Sequence, residues 1–506
     1  MGGNDRTISP FSDEEWKILL HYTPRVRELS IDMMGFDRPS DDLSLKVLGS
    51  VMFRTTPLLP NLRQLRWSCR DEPEMVYIRP LLTPTITHLE ISFRDGDDSA
   101  SLAVLQIYHI LCPNLRSICF EHRNLTTEVS TAVCQAQNLE SIDCGRINDT
   151  ALTHITQSLT LKKFSAQVYH VDSHRILRDI ARDNGPDLPP FRNVKVINLH
   201  LDDLSFIIPF LKPHYQSFND MTITFWAVPT TAVLRAFFSA LASIPRQGSV
   251  RRVKLCHIGW FDGGQTGSHQ PLTYESLCPL LSFTRLCELD LELGNPLSLN
   301  DEELATLARA WPCLEVLKVN CSSQWRVDPS SNPVTLNGLV SLLRICPMLC
   351  ELGLPIDARE VPLPSLDPRA PQVPSSSGAQ HGSWGIHNAK IKTLHLPESP
   401  IKDPASVATF LAELLPSLGD VDTPRPPPTE EILSRLPQYN PLLNTGLHTV
   451  LTSPYAFLQQ PNPLLPPGAT GGPAGSDYKR LWAQVNEYLH KRAALRVSAT
   501  ELGASL

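Results

Sequence analysis

The sequence lacks most of the features that mark an enzyme, a secreted protein or a membrane protein. Its 12 cysteines contain no Cys-x-x-Cys pair, which argues against a zinc ribbon or a dithiol redox site. Disulfide frameworks belong to short secreted chains, so single thiols scattered over 506 residues read as the reduced cysteines of a cytoplasmic or nuclear protein. The longest apolar run, Phe206 to Leu211, falls far short of the roughly 20 residues that a bilayer requires. The opening stretch "MGGNDRTISPFSDEEW" has no apolar core of the signal-peptide kind. Basic charge is not in excess: 45 Lys and Arg face 52 Asp and Glu, a net charge of -7, and this disfavours a nucleic-acid partner. Neither a membrane nor a nucleic acid is therefore expected as a partner.

Chemical motifs are equally sparse. No G-x-S-x-G nucleophile turn occurs. Gly263, Gly264 and Gly267 are not followed by the lysine of a phosphate-binding loop. His170 and His174 stand four apart with Asp172 between them, but no further ligand has suitable spacing, so they read as solvated loop histidines. Cys346 and Cys350 bracket "CPMLC" and read as core thiols. The sequence thus predicts no catalytic residue, no metal and no cofactor, and a binding protein in place of an enzyme.

What is present is a repeat. One pattern recurs: an apolar anchor, two variable residues, an apolar residue, one variable residue, and a third apolar residue. It begins as Val26, Leu29, Ile31 and returns as Leu62, Leu65, Trp67 and as Ile86, Leu89, Ile91. Its clearest run is Leu286, Leu289, Leu291, then Leu314, Leu317, Val319, then Leu349, Leu352, Leu354. About fourteen copies occur, roughly 22 to 42 residues apart, where leucine-rich repeats are usually about 20–29 residues long. The last two apolar positions alternate with variable ones, so a strand there puts both on one face. One such strand cannot bury its face alone, and copies must stack into a parallel sheet.

Helical stretches fill the intervals. "NDEELATLARAW" starts at Asn300, a candidate N-cap, with Asp301, Glu302 and Glu303 at the positive end of the helix. Several helices stop at a proline just before the next copy, as in "CPNL", "WPCL", "CPML" and "LPSL". Strand, loop, helix, Pro-x-Leu is therefore the unit. The predicted fold is an α/β leucine-rich-repeat solenoid, a horseshoe with parallel strands on its concave face and helices on its convex face. The remaining alternative is a doubly wound α/β sheet.

Four regions are expected. Residues 1–25 form an N-terminal helical cap, with Ser12 and Glu15 placed for a capping box. Residues 26–424 form the solenoid, interrupted by a Pro-, Ser- and Gly-rich disordered insertion at 359–388. Residues 425–476 are a Pro-rich connector with short helices. Residues 477–506 carry an amphipathic helix and tail, with Leu481, Trp482, Val485, Tyr488, Leu489 and Leu495 close to one stripe.

The units resemble the long, degenerate leucine-rich repeats of F-box proteins. "NLESIDCGRINDTALTHITQSL", "CPNLRSICF" and "CPMLCELGL" carry the likeness, over roughly residues 10 to 425. In style, including "FSDEEWKILLHYTPRVREL", the chain is similar to the large F-box/leucine-rich-repeat families of mushroom-forming (basidiomycete) fungi. The resemblance implies substrate recognition for a cullin-type (SCF) ubiquitin ligase. The family's helical F-box, which would dock a ligase adaptor, is not visible ahead of the first strand, so such docking requires an F-box supplied upstream. The alternative is a free-standing repeat scaffold or inhibitor unrelated to ubiquitin.

The site expected on this fold is the concave face, where variable strand residues point away from the core. The candidate partner-binding residues are Lys163, Asn198, His200, Arg252, Lys254, Glu288, Asp290, Glu292, Lys318 and Asn320. A basic pair, Arg252 and Lys254, precedes the acidic triplet Glu288, Asp290 and Glu292, which suggests a protein partner of complementary charge.

Overall fold

A computed structural model describes residues 12–32, 57–69, 76–93, 99–121, 126–169, 175–178, 190–211, 218–243, 249–258, 270–321, 333–362, 386–397, 399–422 and 474–503. The chain forms two compact units. The first comprises Met1–Val228 with Ala236–Trp260, and the second comprises Pro229–Arg235 with Phe261–Leu506.

The copies fold as parallel strands, each beside the next copy of its unit. The first unit holds β1 (Glu28–Asp32), β2 (Gln64–Cys69), β3 (His88–Phe93), β4 (Ser117–Glu121), β5 (Ser141–Arg146), β6 (Lys163–Val168), β7 (Val196–Leu201), β8 (Asp220–Phe225) and β9 (Arg252–His257). The second holds β10 (Leu272–Thr273), β11 (Glu288–Glu292), β12 (Leu297–Ser298), β13 (Val316–Val319), β14 (Glu351–Gly353), β15 (Thr393–His395) and β16 (Asp420–Asp422). There β11, β13, β14, β15 and β16 follow one another in the sheet, while β10 and β12 make a separate two-stranded ladder. This is an α/β leucine-rich-repeat-type solenoid, in which strand order is chain order. The doubly wound alternative requires a strand order that reverses, and none does within either unit.

Register follows the apolar pattern. Leu65 lies opposite Leu89, Leu89 opposite Ile118, and Ile118 opposite Ile142. In the second unit Leu289 lies opposite Leu317, and Leu317 opposite Leu352. A slip of one residue would turn these side chains out of the core, so burial fixes the pairing. The pairing is irregular at a bulge in β5, where it steps from Asp143 to Arg146.

The Pro-x-Leu junction is a reverse turn. The anchor N–H of Leu115 donates to the carbonyl of Cys112 at 3.2 Å, that of Leu314 to Trp311 at 3.1 Å, and that of Leu349 to Cys346 at 3.2 Å. Proline sits second in each turn, where its fixed φ suits the geometry. Trp311 fills the space above: it is buried, and its indole N–H donates to the carbonyl of Leu280 at 2.9 Å.

A second row of bonds precedes the anchors. At five anchors of the first unit, the side chain just ahead of the anchor reaches back to the preceding turn. Asn61 donates to the carbonyl of Pro24, Asn114 to Pro84 and Asn193 to Leu159, at 2.6–2.9 Å. Thr85 donates to the carbonyl of Leu62 and Thr160 to that of Leu139, both at 2.8 Å. These polar residues satisfy turn carbonyls that no strand pairs with.

Helices keep the expected caps. The helix Asp301–Ala310 is closed by a capping box between Asn300 and Glu303. At the N-terminus, the helix Asp13–Tyr22 carries the Ser12–Glu15 capping box. The C-terminal helix spans Ala474–Gly503 and packs on the helix Pro404–Leu414 and on β16. It buries Trp482, Val485 and Leu489, whereas Tyr488 of the expected stripe is 46% exposed. Asn486 forms two hydrogen bonds with the backbone of Val421. Its Oδ1 accepts from the N–H at 2.7 Å and its Nδ2 donates to the carbonyl at 2.9 Å. Among the described residues β16 is the last strand of its sheet, and its backbone is met by a side-chain amide.

Of the insertion at 359–388, residues 363–385 lie outside the described residues, with Ser375 to Ser377. Its ends are ordered: Asp357 and Arg359 form an ion pair, and buried Asn388 donates to the carbonyl of Leu349 at 2.8 Å. The connector up to residue 473 also lies outside the described residues.

Candidate functional site

The variable strand positions form an open face on each unit, opposite the buried anchors. On the first unit, the middle of this face is small and polar. Ser165 and Thr224 are buried, and half-buried Asn198 donates to Ser165 Oγ at 3.3 Å. His200 stands in this zone, with Gln167 and Thr224 as its neighbours across the sheet. Burial lowers its pKa, and the nearby Asp143 carboxylate only partly offsets that effect. His200 is therefore neutral at pH 7, and its buried Nδ1 meets no hydrogen-bond partner among the described residues. Charged groups flank this zone. Arg66 pairs with Glu90 at 3.0 Å and Arg252 with Asp220 at 3.9 Å. Lys163, Arg252 and Lys254 are exposed.

The open face of the second unit also carries paired charges. Lys318 is ion-paired with Glu351. Burial pulls the Lys318 pKa down, but the hydrogen bond and charge of Glu351, helped by Asp290, outweigh it and hold the ammonium protonated. His395 and Asp422 approach to 3.0 Å. Gly353 lies between Lys318 and His395 in the register. A Cβ there would fall 2.0 Å from Cys321 Sγ, so only glycine leaves the Cys321 thiol its place.

Three candidate residues present little or nothing of their side chains to a partner. Asn320 is only 3% exposed. It follows β13 in a left-handed conformation, φ 52°, which asparagine tolerates better than most residues. Its Oδ1 accepts from the Leu293 N–H at 3.0 Å and its Nδ2 donates to the Asn295 carbonyl at 2.6 Å, so it is a structural brace. Asp290 remains on the open face but is 6% exposed, hemmed in by its neighbours. Glu292 is bent inward: its Oε1 accepts from the Cys321 backbone N–H at 2.5 Å. Glu288, like Glu292, is half-buried. Arg252 and Lys254 belong to the first unit and the triplet to the second.

Of the two cysteines that the sequence reads as core thiols, Cys346 is buried and Cys350 only half-buried. Burial pushes the Cys112 thiol up to about 12 and the Cys346 thiol up to about 11. A thiol held protonated is a poor nucleophile and a poor metal ligand. Cys350 is also raised, by burial and then by the Glu351 and Glu315 charges. Among the described residues, no group of three or more His, Cys, Asp or Glu side chains could hold a metal, and no helix is long and apolar enough to cross a membrane. His170, Asp172, His174, Gly263, Gly264 and Gly267 lie outside the described residues.

Pattern reading missed the row ahead of the anchors. Its signal was available: Asn61, Thr85, Asn114, Thr160 and Asn193 each stand immediately before an anchor.

No protein-family model matches the sequence, and no curated protein matches it. Among solved structures, the chain is similar to one in the crystal structure of the Rad7 and Elc1 complex in yeast, with 13% identity over 69% of this chain and 78% of that one, and a TM-score of 0.41.

Proposed function

We propose that the protein is a repeat solenoid for protein–protein recognition, acting by binding and not by catalysis. The observation that carries this reading is the in-register sheet itself. Parallel pairing sets variable side chains from successive copies side by side, as with Gln167, His200 and Thr224. Such a surface is rigid, broad and variable, which suits a macromolecular partner.

The finer reading is substrate recognition for an SCF-type ubiquitin ligase in the cytoplasm or nucleus. It rests on the resemblance of the repeats to those of F-box proteins. The second reading is a free-standing scaffold or inhibitor unrelated to ubiquitin, which needs only the recognition surface of the repeats.

Affinity purification of the full chain tests these readings, with a variant carrying Lys163→Glu, Lys254→Glu and Glu288→Lys run beside it. Partners retained by the wild type and lost by the variant are expected. Partners that the variant retains in full would overturn the assignment of the open face. Recovery of an adaptor and a cullin supports the ubiquitin reading, and stable partners without them support the scaffold.

A further inference from the structure

A row of positions outside the open face has a pronounced charge. These are the residues immediately after each anchor, at the start of each strand. In the first unit they are bonded in series through the backbone. Arg63 donates its N–H to the carbonyl of Arg27, Thr87 to that of Arg63, and Arg116 to that of Thr87. Glu140, Lys162, Lys195, Asn219 and Arg251 continue the series, every N–H to carbonyl distance being 2.7–2.9 Å. These nine residues therefore form one continuous file along the strand starts. Six are arginine or lysine, Glu140 is the one acid, and Arg27, Arg63, Arg116, Lys162 and Arg251 are exposed. This occurs in a chain with net charge -7. The same row in the second unit contains Cys287, Glu315, Cys350, Lys392 and Gly419, so the basic file is a property of the first unit.

A cavity of about 520 Å³ opens on this file. Arg116, Glu140 and Lys162 line it together with Asn138, Leu159 and Thr160. Glu140 is bridged from both sides, by Arg116 at 3.3 Å and by Lys162 at 2.5 Å. Leu159 is 64% exposed at the rim, an apolar contact set among charges and amides.

We propose that this file is a docking groove for an extended acidic segment of a partner protein, with the cavity taking one apolar side chain of that segment. Strands lie about 4.8 Å apart, so nine of them set the cations along roughly 38 Å, the length of about eleven extended residues. Carboxylates on such a segment would meet the guanidinium and ammonium groups, and an incoming acid could displace Glu140 from one of its two cations. A polypeptide suits the groove better than a single-stranded nucleic acid. The file contains no aromatic side chain on which a base could stack, and Glu140 stands within it. This surface is separate from the open face and is tested separately.

The test uses the full chain and a fluorescein-labelled peptide of alternating glutamate and alanine around one central leucine, followed by anisotropy. Saturable binding is expected, weakening as salt rises because exposed charges carry it. Arg63→Glu, Arg116→Glu and Arg251→Glu combined should weaken it at least roughly tenfold. Should that triple variant fail to match the wild-type urea midpoint, the milder Arg63→Gln, Arg116→Gln, Arg251→Gln set is read instead, with a smaller loss in the same direction. Leu159→Ser should weaken the peptide with leucine but not one with serine in its place. Glu288→Gln should leave binding unchanged, so failure on the open face and failure here are distinguishable. Equal peptide affinity in wild type and triple variant would overturn the proposal, as would tighter binding of an oligonucleotide of matched charge.

Discussion

At the scale of single residues, two side-chain environments lead to opposite expectations from ordinary rules. Gly338 lies inside the helix Leu336–Ile345, where alanine would normally add up to ~1 kcal/mol of stability. Here a Cβ would fall 2.3 Å from Asp301 Oδ1 and 2.9 Å from Val334 Cγ1. The Asp301 carboxylate cannot step aside freely, because it accepts from the Thr335 N–H at 2.7 Å and the Thr335 hydroxyl at 2.6 Å. Gly338→Ala should therefore destabilise by about 1–3 kcal/mol in urea unfolding. A raised midpoint would show that the two helices are not held this closely.

His200 gives the second case, and it concerns pH. Its folded pKa is depressed below the ordinary 6.5 by burial. The unfolded chain then binds the proton more readily than the folded one. His200 thus favours the folded state above about pH 6.5, and that contribution fades as pH falls toward the folded value. Stability measured by urea should drop between about pH 7 and pH 5 more steeply in the wild type than in His200→Gln. Identical slopes in the two proteins would remove the histidine from the account.

At the scale of elements, the unit is held by three different bonds. The apolar pair buries the strand, a proline turn sets its start in copies such as those at Leu115, Leu314 and Leu349, and in the first unit Asn61, Thr85, Asn114, Thr160 and Asn193 tie that start to the previous turn. At the end of the second unit, the C-terminal helix does by side chains what a neighbouring strand would do by backbone. Its Trp482 indole N–H donates to the Ser399 carbonyl at 2.8 Å, and Asn486 faces Val421. The exposed His490–Asp420 pair at 3.0 Å adds little beside these. Asn486→Leu should cost about 1–3 kcal/mol, because it leaves both polar groups of Val421 without the amide. It should also raise concentration-dependent association, since an uncovered strand edge templates pairing. Light scattering beside the unfolding curve checks both, and a monomeric variant of unchanged stability would contradict the reading.

At the scale of the whole molecule, the fold was legible and the site much less so. Alternating apolar residues such as Leu289 and Leu291 specify a strand with one buried face, and a dozen such copies leave stacking as the only way to cover them. The helix at Asn300 was legible because capping is local chemistry. Asn320 was not, because its inward turn depends on a left-handed backbone and on partners 25 and 27 residues away. Asp290 occupies a position that alternation sends outward, yet it is 6% exposed, which only the packing of neighbouring copies decides. The basic file escaped notice for a different reason. Each of Arg27, Arg63, Arg116, Lys162, Lys195 and Arg251 is unremarkable in its own copy, and only the pairing of copies sets them side by side.

The amide of Asn486 reads the N–H and carbonyl of one residue of β16, Val421. A terminus of that kind is blind to how many copies stand upstream. Repeats between β11 and β16 can then be gained or lost by duplication or deletion while the last strand keeps the same ending. Array length becomes an evolvable quantity, decoupled from the problem of how the array stops.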